Sequence, residues 1–455
     1  MRTVRATWWV GAGVVALLAC VFWVVIGTKA SDRRPNVVVI MVDTLRRDHV
    51  SLYGYSHNTT PHIDAFFADG TTFENATSPA PCTVPAVKQV LTGARDFDDR
   101  RPRLAEILKD NGYATAAVVS QHHFRTLAGA RPEYRRGFEH FDIQRANQVD
   151  QHNMTSRDAT EVSDLAIAWL DSHATAQPFF LWLHYFDPHD PYEPPASYRT
   201  FPAPDPNFSG DRRTYLLRAF KQALEKADDR GKRAIMSRPN PYAQFGVIFS
   251  PEQVATLRSY YDAEILYADA QINRVLRRLE AMGPTLVVFT SDHGERLGEE
   301  NRWAHCQSVH SYEIDVPLML SWRGPNGHAR IDHAVSTLDI VPTVLSAAGV
   351  RFEASHFDGQ NLFESSDDRM IFTGWSREFA IQDANWKLIV PTSGEPATLF
   401  DIRHDPYQSR NLAQQESERS AKMFQALNNA INEHKQMESR ISEILDDLRA
   451  IGYIR

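Results

Sequence analysis

The sequence predicts an α/β fold, a mixed but mostly parallel sheet flanked by helices. Short, wholly apolar runs recur along the chain, as strands buried on both faces do. Helical patterns separate these runs, the alternation that builds a parallel sheet covered on both sides. Two of the runs stop at an aspartate, Asp43 and Asp292, where such folds place their ligands.

The N-terminal segment comes first. Residues 8–27 read WWVGAGVVALLACVFWVVIG and carry no charge, which is about 20 residues and enough to span a bilayer as a helix. Arg2 and Arg5 precede it, so residues 1–7 are expected as a cytoplasmic stub and the rest of the chain outside the cytoplasm. A cleaved signal peptide is the rival reading. The run is long for one, and no A-x-A site follows it.

After a polar linker from Ser31 to Pro35, NVVVIMV (36–42) reads as the first strand. ATAAVVS (114–120), FFLWLHYF (179–186) and TLVVFT (285–290) read as further strands. Helices are expected near 61 (PHIDAFFADG), near 103 (RLAEILKDNGY) and near 262 (DAEILYADAQINRVLRRLEAMG). A catalytic domain over 34–345 accommodates them. The polar stretch 200–250 reads as a surface insertion within that domain. Residues 346–455 read as a small C-terminal α+β subdomain of short strands, closed by a charged amphipathic helix over 413–449.

With 455 residues, one large and one small core are expected. Hydrophobic content of 43% and charged content of 23% are ordinary for a globular protein. A net charge of −8 gives no sign of a nucleic-acid partner. Nothing in the pattern specifies an oligomeric state. Cys20 lies in the apolar N-terminal segment, which leaves Cys82 and Cys306. Two free buried thiols is the plainer reading, and a bridge in an oxidising compartment is the alternative. N-x-[ST] sequons stand at Asn58, Asn75, Asn153 and Asn207, and count only in a eukaryotic secretory pathway.

Asp43, Asp292 and His293 carry the first chemical reading. Two carboxylates and an imidazole at strand ends suit a divalent cation with mixed oxygen and nitrogen ligands. Taken singly, an Asp after a strand is more often a helix cap. Four features in order strengthen the reading: a strand ending in Asp, the turn PCTVPA before an apolar helix closing on LTG, a strand ending in SDHGE, and a His in WAHC.

These blocks resemble the sulfatase family of the alkaline phosphatase superfamily. PNVVVIMVDTLRRDHVSLYGY (35–55), TVPAVKQVLTG (83–93), HYFDPHDPYEPP (184–195), SDHGERLGEE (291–300) and LFDIRHDPYQSRNLA (399–413) carry the likeness, which runs from about 35 to 415. It implies an alkaline-phosphatase-like mixed sheet, plus a small domain with a short antiparallel sheet.

The resemblance also implies a nucleophile. In sulfatases a Cys or Ser stands two residues before a Pro, with an Arg two residues after it, and is converted to formylglycine. Counting back from Leu91-Thr92-Gly93 through Pro85 puts Thr83 at that position and Val87 at the Arg position. Formylglycine cannot be made from Thr. The superfamily's membrane-anchored phosphoglycerol and phosphoethanolamine transferases use an unmodified Thr, which implies a phosphothreonine intermediate. Cys82 is the alternative nucleophile if the turn is shifted by one.

Where sulfatases commonly show two adjacent Asp residues, this chain has Asp43 and Thr44. The implied metal set is Asp43, Thr83, Asp292 and His293, holding Ca, Mg, Mn or Zn. His305 matches the family His that contacts the ester or protonates its leaving group. His189 matches one lining the anionic pocket. His122 stands in a third His block, whose Lys is Ser120 here. Arg47 is expected to pair or cap near the site. Cys82 and Cys306, each beside a site residue, would then lie close together.

The expectation is a membrane-anchored, metal-dependent hydrolase or transferase acting on a sulfate or phosphate ester outside the cytoplasm. A glycan, lipid or envelope polymer would carry the ester. A phosphothreonine transferase is one alternative. An anion-binding protein without turnover is the other, motivated by Thr44, Ser120 and Val87.

Overall fold

The computed structural model describes residues 34–433, apart from 97–100, 121–123, 127–128, 131, 144–147, 150–154, 174–176, 206–224, 229–230, 232–248, 323–329, 367 and 376. The 8–27 segment, His122, Asn153, Asn207 and most of the 200–250 insertion lie outside the described residues. Among the described residues, no helix is long and apolar enough to cross a membrane.

Strand β1 (Asn36–Val42) sets the architecture. Its side chains alternate between two cores, as the period of a strand dictates. Val37, Val39 and Met41 enter one, beneath helices α2 (Thr83–Thr92), α3 (Leu104–Asp110) and α6 (Ile340–Ala347). Val38, Ile40 and Val42 enter the other, beneath α1 (Pro61–Phe67), α4 (Ala159–Ser172) and α5 (Pro251–Leu279). Burial on both faces explains why NVVVIMV contains no charge. Each such Val or Ile contributes roughly 1.5–3 kcal/mol.

Among the described residues the large sheet has eight strands. Besides β1 they are β2 (Thr71–Thr77), β3 (Ala114–Val119), β4 (His140–Asp142), β5 (Phe179–Tyr185), β6 (Thr285–Ser291), β7 (Leu318–Leu320) and β8 (Arg330–Ser336). Their order is β8-β2-β7-β6-β1-β5-β3-β4, and β7 alone runs antiparallel to its neighbours. The sheet is therefore mixed and mostly parallel. α5 starts earlier than its apolar pattern suggests, because Ser250 and Gln253 form a capping box around Pro251.

A second sheet follows. Strands β9 (Ile371–Trp375), β10 (Glu378–Gln382), β11 (Trp386–Pro391) and β12 (Thr398–Asp401) pair antiparallel in sequence order. Met423 and Leu427 of helix α7 (Ser417–Glu433) pack on Phe372, Ile381, Leu388 and Leu399. Indole Nε1 of Trp375 donates to Cys306 O at 2.8 Å, and Thr373 Oγ1 donates to Ser78 O at 3.3 Å. The small sheet thus braces the turns around Thr83 and His305.

Candidate active site

Strands β5, β1 and β6 are neighbours, and their carboxyl ends converge. Met41 of β1 is in register with His184 of β5 and Thr290 of β6. Asp43 follows β1, and its N–H donates to Tyr185 O at 2.9 Å. Thr44 then takes a φ of 56°, a left-handed backbone that a β-branched residue rarely adopts and that concentrates at functional sites. Its N–H donates to Asp292 Oδ1 at 3.2 Å, and the N–H of His293 donates to the same oxygen at 2.8 Å. Asp292 Oδ1 is thereby fixed, and Oδ2 is left over.

That second oxygen is buried and has no hydrogen-bond partner. His184 Nε2 is buried and unpartnered in the same way, 3.8 Å from it. His293 Nε2 lies 3.6 Å from Asp292 Oδ2 and 3.7 Å from Asp43 Oδ1. Ligand atoms of Asp43, His184 and Asp292 all lie within 4.8 Å of one another. Buried polar atoms without partners are costly, and a cation among these would satisfy them. His293 Nδ1 faces Gly294 O at 2.8 Å, so a proton there leaves Nε2 as the bare lone pair. Burial pushes the His293 imidazole down to about 4, against the pull of Asp292. Burial alone would raise the Asp292 carboxyl, but the His293 and His184 rings outweigh it, and it lies at about 2. A neutral imidazole beside an ionised carboxylate is the protonation state that metal ligands need. The residues fit a divalent cation.

Thr83 is the first residue of α2, behind the N-cap Cys82. It is fully buried, with Oγ1 3.1 Å from His293 Nε2 and 3.5 Å from Asp43 Oδ1. A helix N-terminus favours an anion there. The His305 ring is tilted against His293, with centroids 4.6 Å apart, and edge-on to His189, 4.9 Å apart. His305 Nδ1 faces Glu295 Oε1 at 3.4 Å, and Tyr192 donates to Glu295 Oε2 at 2.6 Å. Ala304 and Cys306, on either side of His305, both hold positive φ, at 74° and 64°. The loop is bound from below by Glu313, which accepts from Gln307 N at 2.8 Å and from Arg296 Nε at 2.6 Å. Gly294 is required by close approach, since a Cβ would stand 2.3 Å from Tyr312 O.

Thr83, Asp43, Asp292 and His293 are therefore brought into one buried cluster, with His305 and His189 half-buried beside it. Arg47 is turned away, toward Asp315 at 3.5 Å and the Glu74 carbonyl. Cys82 and Cys306 form a disulfide with a Cα–Cα distance of 4.9 Å, which corrects the reading of two free thiols. Three site residues escaped the sequence reading. His184 sits among apolar neighbours in FFLWLHY, and its place at the end of a strand beside β1 was the available signal. Glu295 and Tyr192 had none beyond their blocks.

The family model for sulfatases matches residues 35–350. The chain belongs to the sulfatase family. Arylsulfatase K of Bos taurus is 24% identical over 461 residues, covering 88% of this chain and 82% of the relative. A solved structure described in complex with its substrate D-glucosamine-2-N,6-O-disulfate superposes with a TM-score of 0.67 at 19% identity, covering 89% of this chain and 99% of that one. The phosphonate monoester hydrolase of Agrobacterium radiobacter superposes with a TM-score of 0.65 at 21% identity, covering 89% and 96%. Within the sulfatase fold, the cluster around Thr83 stands at the carboxyl edge of the large sheet.

Proposed function

We propose that this sulfatase-family chain is a metal-dependent esterase that uses Thr83 as its nucleophile on a sulfate or phosphate ester. One observation carries the reading. The Thr83 hydroxyl is buried at the start of α2 against Asp43 and His293, beside the unpartnered polar atoms of His184 and Asp292.

Asp43, Asp292, His293 and His184 would hold the cation, with Thr83 as a further oxygen ligand. Carboxylate oxygens suit Ca, Mg or Mn, and the imidazoles admit Zn. Bound there, the cation supplies Lewis-acid stabilisation of charge on the ester and on the Thr83 oxygen.

The chain's own groups do the rest. The Thr83 hydroxyl proton would pass to Asp43 Oδ1, 3.5 Å away, since the lone pair of His293 Nε2 would be held by the cation, and it would return to Thr83 when the ester is displaced. The dipole at the start of α2 would stabilise the esterified oxygens. Thr83 Oγ forms the new bond to the central phosphorus or sulfur as the bond to the leaving oxygen breaks. His305 gives its Nε2 proton to that oxygen, because Nδ1 is directed to Glu295. Water, or an acceptor hydroxyl in a transferase, then displaces Thr83 with the same imidazole taking the proton. His189, edge-on to His305, would line the anionic pocket.

A Thr cannot become formylglycine, so the hydration route to sulfate release is closed, and phosphoryl transfer through phosphothreonine is favoured. The phosphonate monoester hydrolase among the structural neighbours is consistent with chemistry at phosphorus on this fold. The neighbour bound to a sulfated sugar supports an anionic ester on a glycan. We place the reaction outside the cytoplasm, with residues 8–27 as a membrane anchor. The Cys82–Cys306 bridge supports an oxidising compartment.

Assaying aryl sulfates, aryl phosphate monoesters and diesters with each of Ca, Mg, Mn and Zn tests the reading. Metal-dependent turnover of one ester class is expected. No turnover of any ester would replace the enzyme with a protein that only binds anions.

A further inference from the structure

A cavity of about 800 Å³ opens at the seam between the large sheet's edge and the small sheet's loops. The turn after β1, strands β2 and β8, the short helix Ser311–Ile314 and the loops at 384–385 and 402–407 wall it. No member of the catalytic cluster lines it, although the chain from Asp43 to Arg46 runs from one site to the other.

Its chemistry is distinctive. Three guanidinium groups, those of Arg46, Arg47 and Arg403, face four carboxylates, those of Asp48, Glu74, Asp315 and Asp332. Most are already matched: Arg46 with Asp48 at 2.7 Å, Arg47 with Asp315 at 3.5 Å, and Glu74 with Arg330 at 2.5 Å. Among the described residues of the lining, carboxylates outnumber guanidinium groups, which disfavours a sulfate or phosphate. Four tyrosines, Tyr53, Tyr55, Tyr312 and Tyr407, also line the cavity, and Tyr407 is 68% exposed. Aromatic faces with polar edges beside them suit a ligand that is apolar on its ring faces and polar at its rim. Arg403 and Asn385 supply such an edge, joined at 3.3 Å.

Two buried polar atoms at the wall are unsatisfied. Tyr312 Oη and Asp315 Oδ1 have no hydrogen-bond partner, and their residues are only 7% and 8% exposed. The nearest charge to Asp315 Oδ1 is Lys387 Nζ, 3.5 Å away. The unpartnered Tyr312 hydroxyl, beside the long Asp315–Lys387 ion pair, calls for a hydroxylated ligand. The volume falls within the range of small-molecule pockets, roughly 300–1,000 Å³.

We propose that this seam is a second binding site, and that it takes an uncharged, polyhydroxylated segment, chemically one or more unsulfated sugar residues. The claim rests on the cavity's own residues and stands apart from the Thr83 chemistry. The segment has two sources, the polymer whose ester reaches Thr83 or a separate glycan.

The test uses the full-length chain in a detergent without a sugar headgroup. Cellohexaose, maltohexaose, xylohexaose, chitohexaose and agarohexaose are titrated in turn and followed by saturation-transfer NMR. At least one is expected to bind. Tyr407→Ala combined with Arg403→Ala, both at exposed positions, is expected to weaken binding by about tenfold or more. Thr83→Ala is expected to leave it unchanged. No binding of any of the five at about 10 mM would overturn the proposal. So would binding that survives the double substitution, or binding lost in Thr83→Ala. For the source, KM is compared on a polymeric ester and a small aryl ester. A rise in the double variant on the polymer alone identifies the same chain at both sites. Unchanged KM on both, with sugar binding lost, identifies a separate glycan.

Discussion

A disulfide joins Cys82 to Cys306, tying the residue before Thr83 to the residue after His305. The two halves of the candidate reaction, attack and proton delivery, sit on segments 224 residues apart in sequence. The hydrogen bond from Cys306 N to Pro81 O, 2.8 Å, runs beside the covalent link.

Breaking that link should act on rate and on stability. Cys82→Ser with Cys306→Ser is expected to lower stability by roughly 2–5 kcal/mol, measured by denaturant unfolding. At temperatures where the variant stays folded, kcat is expected to fall about tenfold or more, because sub-ångström alignment of Thr83 and His305 is lost.

Glu295 should act through His305. Glu295→Gln removes the carboxylate that accepts from His305 Nδ1 and fixes its tautomer. With substrates whose leaving group is a poor one, kcat is expected to drop by about 10²-fold. With a nitrophenolate leaving group, which departs without a proton, the loss should be small. Equal losses on both would assign Glu295 a purely structural role.

The cation should depend on His184, a residue outside the set read from the sequence. His184→Ala is expected to weaken metal binding at least tenfold, about 1.4 kcal/mol, by calorimetric titration. Chelation of the native protein should abolish turnover and lower the melting temperature, the expected effect of removing a cation held by the folded site.

Acid should destabilise the fold through His310 among other groups. Burial holds its imidazole down at about 4, and Lys387 and Arg296 push the same way against Gln408 and Glu300. An unfolded His titrates near 6.5. As pH falls through about 6.5 toward 4, the unfolded chain takes up the proton and the native one does not, so stability falls. Unfolding free energies at pH 7, 5.5 and 4.5 are expected to decline, and His310→Gln should flatten part of that slope.

The strands β1, β3, β5 and β6 were legible because each lies between two helical layers, where every position must be apolar. TTFENAT of β2 near the sheet edge and the three-residue β7 were not, since short or mixed strands lack that signature. Asp43 and Asp292 were legible for the same reason, as the first charges after apolar runs. His184 was hidden by the converse, one imidazole inside a run that otherwise reads as core. The bridge between Cys82 and Cys306 depends on tertiary closure over 224 residues, which no local pattern encodes. The buried Glu295 reads as a surface residue until Tyr192 and His305 are seen against it.

The most direct measurement concerns Thr83 itself. The full-length chain, loaded with its metal, is mixed with an aryl phosphate, quenched in acid within one turnover and mapped by mass spectrometry. A phosphate on Thr83 is expected, and Thr83→Ala should lose at least about 10³-fold in kcat. Turnover unchanged in Thr83→Ala, or a phosphate trapped on another residue, would contradict the account.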